Sequence, residues 1–263
     1  MHLSHSKNAH QGKVMAIGAH PDDIEFMMAG TLLALVSTGW EAHYMSLADG
    51  RCGSLNTDGP QTAALRKEEA KAAAKILGAT WHPSLTRDLE VFYDDGLIRR
   101  LASVIRQVAP SILLTHYPSD YMEDHINTCR LAVTASFVRG MPNYATEPPS
   151  RHKDFPMAIY HAMPHGLIDQ FGQEVRGTVY VNVNDFMERK REALRAHASQ
   201  QSWLDVSQGM SSYIQGMEDV TRRMGHQSCQ FQWAEGWKPH AHLGFSHPDY
   251  HPLEKALESR TAL

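Results

Sequence analysis

Cysteine is scarce in this sequence: Cys52, Cys129 and Cys229 are the three thiols among 263 residues. An odd, widely spaced set forms neither a disulfide framework nor a CxxC zinc pair, and it suits a reducing compartment. No stretch approaches the roughly 18 uninterrupted apolar residues that a membrane span requires. The opening residues MHLSHSKNAHQGK hold no apolar h-region, so no secretory signal is expected. Charge of one sign is not in excess either. A net charge of −4 gives no electrostatic reason to expect nucleic acid or an anionic membrane as partner. These absences predict a soluble, cytoplasmic protein. Repeats, low-complexity linkers and compositional breaks are also missing, so residues 1–12 read as a tail and 13–263 as a single domain.

What is present is an ordinary globular composition, 42% apolar and 21% charged, with one outlier: 17 histidines. The first half alternates short apolar runs with longer helical patterns. Strands are predicted over 13–19, 41–47, 80–85 and 111–117, and helices over 24–37, 61–77, 95–108 and 127–138. Gly78 marks the end of the second helix. Further strands are predicted over 157–163 and 178–184, followed by a helix over 185–199 capped by Asp185. Residues 139–157 and 201–250, rich in Pro, Gly, His and aromatics, read as loops around a site. Alternating β and α elements imply an α/β fold. The expected form is Rossmann-like, a mainly parallel sheet with helices on both faces, because parallel neighbours need right-handed crossovers. With the order 3-2-1-4-5, strands 1 and 4 are adjacent and their C-terminal ends open on the switch-point crevice.

The loop after strand 1 lacks the glycines that would let backbone N–H groups hold a phosphate. It holds His20-Pro21-Asp22-Asp23 instead, which repels phosphate and attracts a cation. A helix N-terminus favours ionised Asp22 and Asp23. Catalytic zinc usually has three protein ligands and an open position. His125, in the Asp124-His125 pair after strand 4, is the natural third beside one His and one Asp of the run. The remaining carboxylate, Asp22, is then free to take a proton as metal-activated water attacks.

With these residues in place, the sequence resembles the zinc deacetylases of the LmbE/PIG-L family, which remove acetyl from N-acetylglucosamine-type sugars. The resemblance rests on AHPDD at 19–23, on Arg66 and Glu69 in the Ala-rich helix, on LGA at 77–79, and on Asp124-His125. Ala234-Glu235-Gly236-Trp237 is a weaker C-terminal echo. The resemblance implies one zinc per chain on His20, Asp23 and His125, with Asp22 as the base. It implies an N-acyl amino sugar or glycoconjugate as substrate, Arg66 and Asp88 as sugar contacts, and a homotrimer or hexamer. Fe²⁺ or Co²⁺ would suit the same donors.

Two positions depart from the family pattern. Met122 stands where a histidine that stabilises the oxyanion or protonates the amine is usual. His116, Tyr121 or His242 are the candidates to replace it or to touch substrate, unless the metal alone bears the oxyanion. Asp49-Gly50-Arg51 places a cation where a carboxylate could read a sugar hydroxyl. Two rival readings follow: a metal- or sugar-binding protein with impaired catalysis, and an amidase using the same site on a non-sugar N-acyl compound. Plainer roles compete at single residues. Asp22 and Asp23 could cap a helix, Glu235 and Asp88 could cap turns, and Cys129 could be a buried small apolar residue.

Overall fold

The computed structural model of the protein describes residues 11–200 and 213–263. Most of the expected tail 1–12, and the first part of the expected loop 201–250, lie outside the described residues. Among the described residues, strands β1 (Lys13–Gly18), β2 (Glu41–Ser46), β3 (Ala79–His82), β4 (Ile112–Thr115), β5 (Ala158–Ala162), β6 (Val179–Asn182), β7 (Ala234–Pro239) and β8 (Thr261–Ala262) form one sheet. Their spatial order is β3-β2-β1-β4-β5-β7-β6-β8. The first five run parallel, in the order expected from the sequence. The last three join antiparallel, so the sheet is α/β and mainly parallel. No helix among the described residues is long and apolar enough to cross a membrane.

The helices are α1 (Asp23–Met27), α2 (Ala29–Ser37), α3 (Gly59–Leu77), α4 (Asp95–Val108), α5 (Glu123–Phe137), α6 (Met187–Arg195), α7 (Tyr213–Gln227) and α8 (Pro252–Ala256). Side chains of β1 alternate between two cores. Val14 and Ala16 pack with Leu32 and Leu35 of α2 and Met217 and Met224 of α7. Met15 and Ile17 pack with Leu101 and Ile105 of α4 and Leu131 and Ala135 of α5. Burial on both faces explains why this strand reads as an unbroken apolar run. Helix ends follow local chemistry. Asp58 accepts the Gln61 N–H at 2.9 Å at the start of α3, and Gly78, at φ 72°, closes it in the left-handed region.

Three expectations needed correction. The helix expected over 24–37 is broken at Met28, because Glu235 draws the N–H groups of Gly30 and Thr31, at 2.8 and 2.7 Å, to start a separate α2. Asp185 does not cap a helix; it lies in a 3-10 turn, pairs with Arg260 at 2.9 Å, and α6 begins at Met187 and ends at Arg195. The stretch read as loop over 201–250 contains α7 and β7. The apolar side chains of α7 recur with helical spacing, with Tyr213, Met217, Val220 and Met224 buried. By contrast, the AEGWKP of β7 carries no strand signature, since its buried charge, Glu235, is paired by a tertiary contact with Lys190.

The consequence for the site is topological. From β1 the chain crosses to β2 on one side, while β4 lies on the other with Ile17 opposite Thr115. The loops leaving β1 and β4 therefore diverge and bound a common crevice.

Candidate metal centre and catalytic cleft

That crevice is a cleft of about 330 Å³. His20, Asp22 and Asp23 arrive on the turn between β1 and α1, and His125 arrives in the first turn of α5. The turn is tight. Asp23 Oδ2 accepts the backbone N–H of His20 at 2.7 Å, and Asp22 is held at φ 116° in the left-handed region. For a residue with a Cβ this conformation costs on the order of 1–3 kcal/mol, and such strain concentrates at functional sites.

Donor atoms of His20, Asp23 and His125 lie within 4.8 Å of one another. Each imidazole is aimed by a second carboxylate. Asp124 Oδ2 accepts from His20 Nε2 at 2.9 Å, leaving Nδ1 turned toward Asp23 at 3.6 Å. Asp120 Oδ1 accepts from His125 Nδ1 at 3.0 Å, leaving Nε2 turned toward Asp23 at 3.4 Å. Carboxylates placed in this way are the usual outer partners of metal-binding histidines. Burial opposes charge on both rings, but hydrogen bonds to Asp124 and Asp23 outweigh it and push His20 up to about 9. The Asp23 charge and the Asp120 hydrogen bond likewise push His125 up to about 10. The donor set thus has the composition, spacing and excess negative charge that suit a divalent ion.

The two neighbouring aspartates are poised in opposite senses. Burial raises Asp22 above the ordinary carboxylate value, against the pull of Arg66. Burial also acts against ionised Asp23, but His125 and His116 overcome it and hold Asp23 well below that value. One carboxylate is kept anionic and the other is ready to take a proton, a separation typical of divided roles.

The remaining expected residues fall into different places. Arg66 is buried and its guanidinium donates to Asp22 Oδ2 at 3.1 Å, to the Gly50 carbonyl at 3.1 Å and to the Pro21 carbonyl. Gly50 is required there: at φ 77°, a Cβ would meet the Arg66 side chain at 2.7 Å. Asp88 lines the cleft, but its carboxylate clamps the adjacent loop, accepting from Gly50 N at 2.6 Å and Cys52 N at 2.9 Å. His116 also lines the cleft; its Nε2 accepts the Ala19 N–H at 2.8 Å and its ring stacks on His125 at 4.1 Å. Tyr121 stands at the rim, 64% exposed, edge-on to His125. His242 does not line the cleft. It bonds Ser246 Oγ at 3.1 Å and meets the ring of His251. Glu69 anchors Ser199 through both carboxylate oxygens, and Glu235 is wholly buried against Lys190. Cys129 is buried, with its thiol 3.4 Å from His161 Nδ1.

Sequence reasoning missed several cleft residues. Asp120 carried a usable signal, since it lies between the two histidines of the loop after β4. Tyr213, which hydrogen-bonds Asp22, is brought in by α7. His165, after β5, packs against Phe26 at 5.1 Å and Tyr121 at 5.9 Å. Burial lowers its basicity, so it faces the cleft as a neutral imidazole at neutral pH. No local pattern marks either residue.

The chain matches the family GlcNAc-PI de-N-acetylase (PIG-L) over residues 15–136. It is 30% identical to the diacetylchitobiose deacetylase of Thermococcus kodakarensis over 195 residues, 72% of this chain and 70% of that protein. It is 29% identical to the 4-oxalmesaconate hydratase of Pseudomonas putida over 203 residues, 74% of this chain and 76% of the relative. Among solved structures, 4-carboxy-2-hydroxymuconate hydratase of Pseudomonas putida superposes with a TM-score of 0.72 at 22% identity, covering 87% of this chain and 95% of that one. The N,N'-diacetylchitobiose deacetylase of Pyrococcus horikoshii gives 0.71 at 22% identity, covering 92% and 88%. These likenesses share the fold, and the sequence relationship to the deacetylases goes further: the chain belongs to the PIG-L (LmbE-type) deacetylase family.

Proposed function

We propose that the protein is a metal-dependent hydrolase that removes an N-acetyl or related N-acyl group from an amino sugar or glycoconjugate. The observation that carries this reading is the pairing of a carboxylate-backed His20–Asp23–His125 trio with the oppositely poised Asp22 beside it. One ion per chain would be held by His20 Nδ1, Asp23 and His125 Nε2; zinc is the ion proposed, and Fe²⁺ or Co²⁺ suits the same donors. Bound there, it would polarise the amide carbonyl and bring the pKa of water toward about 7.

The chain's own groups do the rest. Asp22, fixed by Arg66 and Tyr213, accepts the proton of the attacking water. It then returns that proton to the amide nitrogen as the C–N bond breaks, releasing carboxylate and free amine. Met122 has no proton to give. His165 stands in for the absent histidine as a neutral N–H donor to the developing oxyanion. Arg66 and Asp88 act by holding Asp22 and the 50–52 loop rather than by gripping sugar.

The hydratase relatives suggest a second reading, addition of water to an anionic, carboxylate-bearing substrate. The cleft argues against it. Among the described residues Arg66 is the one Arg or Lys in its lining, and its two terminal nitrogens are already engaged by Asp22 and two carbonyls. A neutral acylamino group needs no such cation.

The test is turnover of N-acetylglucosamine and its oligomers by metal-loaded protein, with acetate and free amine quantified. Asp22→Asn should keep the ion and lose at least about a hundredfold in kcat. Metal binding without hydrolysis of any N-acyl amino sugar, and with ligand binding unchanged in Asp22→Asn, would leave a binding protein. Water addition to an unsaturated carboxylate would establish the hydratase.

A further inference from the structure

Gln200 lines the cleft and is 5% exposed, and its side-chain oxygen Oε1 has no hydrogen-bond partner among the described residues. A bare buried acceptor costs folding free energy, so it asks for a reason outside folding. The chain holds this residue in place deliberately. Glu69 accepts the Ser199 N–H at 2.8 Å and the Ser199 hydroxyl at 2.6 Å, and the Gln200 N–H donates to the His197 carbonyl at 3.1 Å. Glu69 lies three residues after Arg66 on α3, so one helix face fixes both the Gln200 segment and the base. Arg66 reaches the base with Nη2, which donates to Asp22 Oδ2, while Nη1 donates to the Gly50 carbonyl. Gly53 closes the corner between them. The Cβ it lacks would stand 2.7 Å from Gln200 Oε1 and 3.0 Å from Arg66 Nη1. The nearby guanidinium favours the amide oxygen over the amide NH₂ on this side. Gly53, Arg66, Gln200 and Asp22 all line the cleft, which therefore carries an unused acceptor one guanidinium away from the base.

We propose that Gln200 is a specificity residue whose Oε1 accepts a hydrogen bond from a substrate hydroxyl next to the nitrogen-bearing carbon. Asp22 delivers its proton to the leaving nitrogen, so that carbon and its neighbours lie along this wall. The cleft then selects a vicinal acylamino alcohol, in a 2-acylamino sugar through its 3-hydroxyl, over an acylamino compound lacking that hydroxyl. The placement of the nitrogen rests on the deacetylase reading.

The experiment titrates full-length, zinc-loaded protein with the methyl glycoside of N-acetylglucosamine and with its 3-deoxy analogue. Kd is read from protein NMR shifts, and acetate is quantified in the same samples. Wild type should bind the hydroxylated sugar about 10- to 100-fold more tightly, the range for leaving one buried acceptor unpaired. Gln200→Met, of similar volume, should lose most of that preference by weakening the hydroxylated sugar alone. Gly53→Ala should do the same with Gln200 intact, because the added methyl displaces the flexible end of that side chain. Urea unfolding shows whether both variants fold. Equal weakening of both sugars in Gln200→Met would make the residue a packing element and overturn the proposal, as would a wild type that does not distinguish them. Acetate release without that preference would uphold the hydrolase and refute the Gln200 contact. A preference lost in Gln200→Met without acetate release would do the reverse, and failure of wild type to bind either sugar would refute both.

Discussion

Replacing Asp124 tests whether the carboxylates behind the two histidines build the site. Its Oδ2 accepts two hydrogen bonds, from His20 Nε2 at 2.9 Å and from Leu89 N at 2.8 Å, and the residue is 3% exposed. Asp124→Ala removes the acceptor of both bonds, so the His20 ring loses its aim and its Nε2–H is left without a partner in a buried place. Loss of an outer partner typically costs 10- to 100-fold in metal affinity, about 1.4–2.8 kcal/mol. Asp124→Ala should fall at the upper end. Asp124→Asn retains an oxygen that can accept both N–H groups but loses the charge that makes His20 a better donor, so about tenfold is expected. Zinc affinity would be measured by competition with a chromogenic chelator, and urea unfolding run in parallel would separate local from global loss. Asp49→Asn, which breaks only the partly exposed pair with Arg51, serves as control. If Asp124→Ala binds zinc within threefold of wild type while folding normally, the proposed aiming of His20 by Asp124 is wrong.

Glu235 provides a structural prediction. It accepts from Gly30 N, Thr31 N and Lys190, all in a fully buried setting, so Glu235→Ala should cost about 3–5 kcal/mol by orphaning Lys190, and the Lys190→Met, Glu235→Gln pair should recover much of it in urea unfolding. His161 should shape acid stability. Burial holds its pKa at about 4, below the 6.5 of an exposed ring, so the unfolded chain binds the proton first, and stability falls as pH drops from about 6.5 to 4, by roughly 3 kcal/mol. His161→Asn should flatten that slope in unfolding curves taken across the window. His165→Ala should lower kcat on an N-acyl amino sugar by about 10²–10³-fold with zinc content unchanged; a variant with full turnover would return the oxyanion to the metal alone. Chelation should lower the thermal midpoint, since an ion at a hundred times its Kd contributes about 2.7 kcal/mol, and no shift on chelation would contradict a saturated site.

What the sequence made legible follows from how local each signal is. The β1 run and the Asp58-to-Gly78 helix are written in adjacent residues, and the strand order follows from crossovers that chirality restricts. His20, Asp22 and Asp23 could be read because a polar cluster interrupts a buried strand end. His125 could be paired with them because the switch point brings β1 and β4 together. The residues that escaped are ones whose role is set by packing at a distance. His165 reaches the cleft only because β5 lies beside β4. Tyr213 reaches Asp22 because α7 packs over α1, and β7, laddered between β5 and β6, can bury a carboxylate because Glu235 finds Lys190. The same distinction separates Arg66 and Asp88 from the part the resemblance suggested for them. Their residue types fit a sugar contact, but the acceptors and donors around them are the chain's own backbone and Asp22. A motif thus locates a side chain in the cleft, while its hydrogen-bond partners decide whether it has valence left for a ligand. By that criterion His165 is the cleft histidine whose ring nitrogens are bonded to no described residue, and it is the imidazole with an N–H still to offer a substrate.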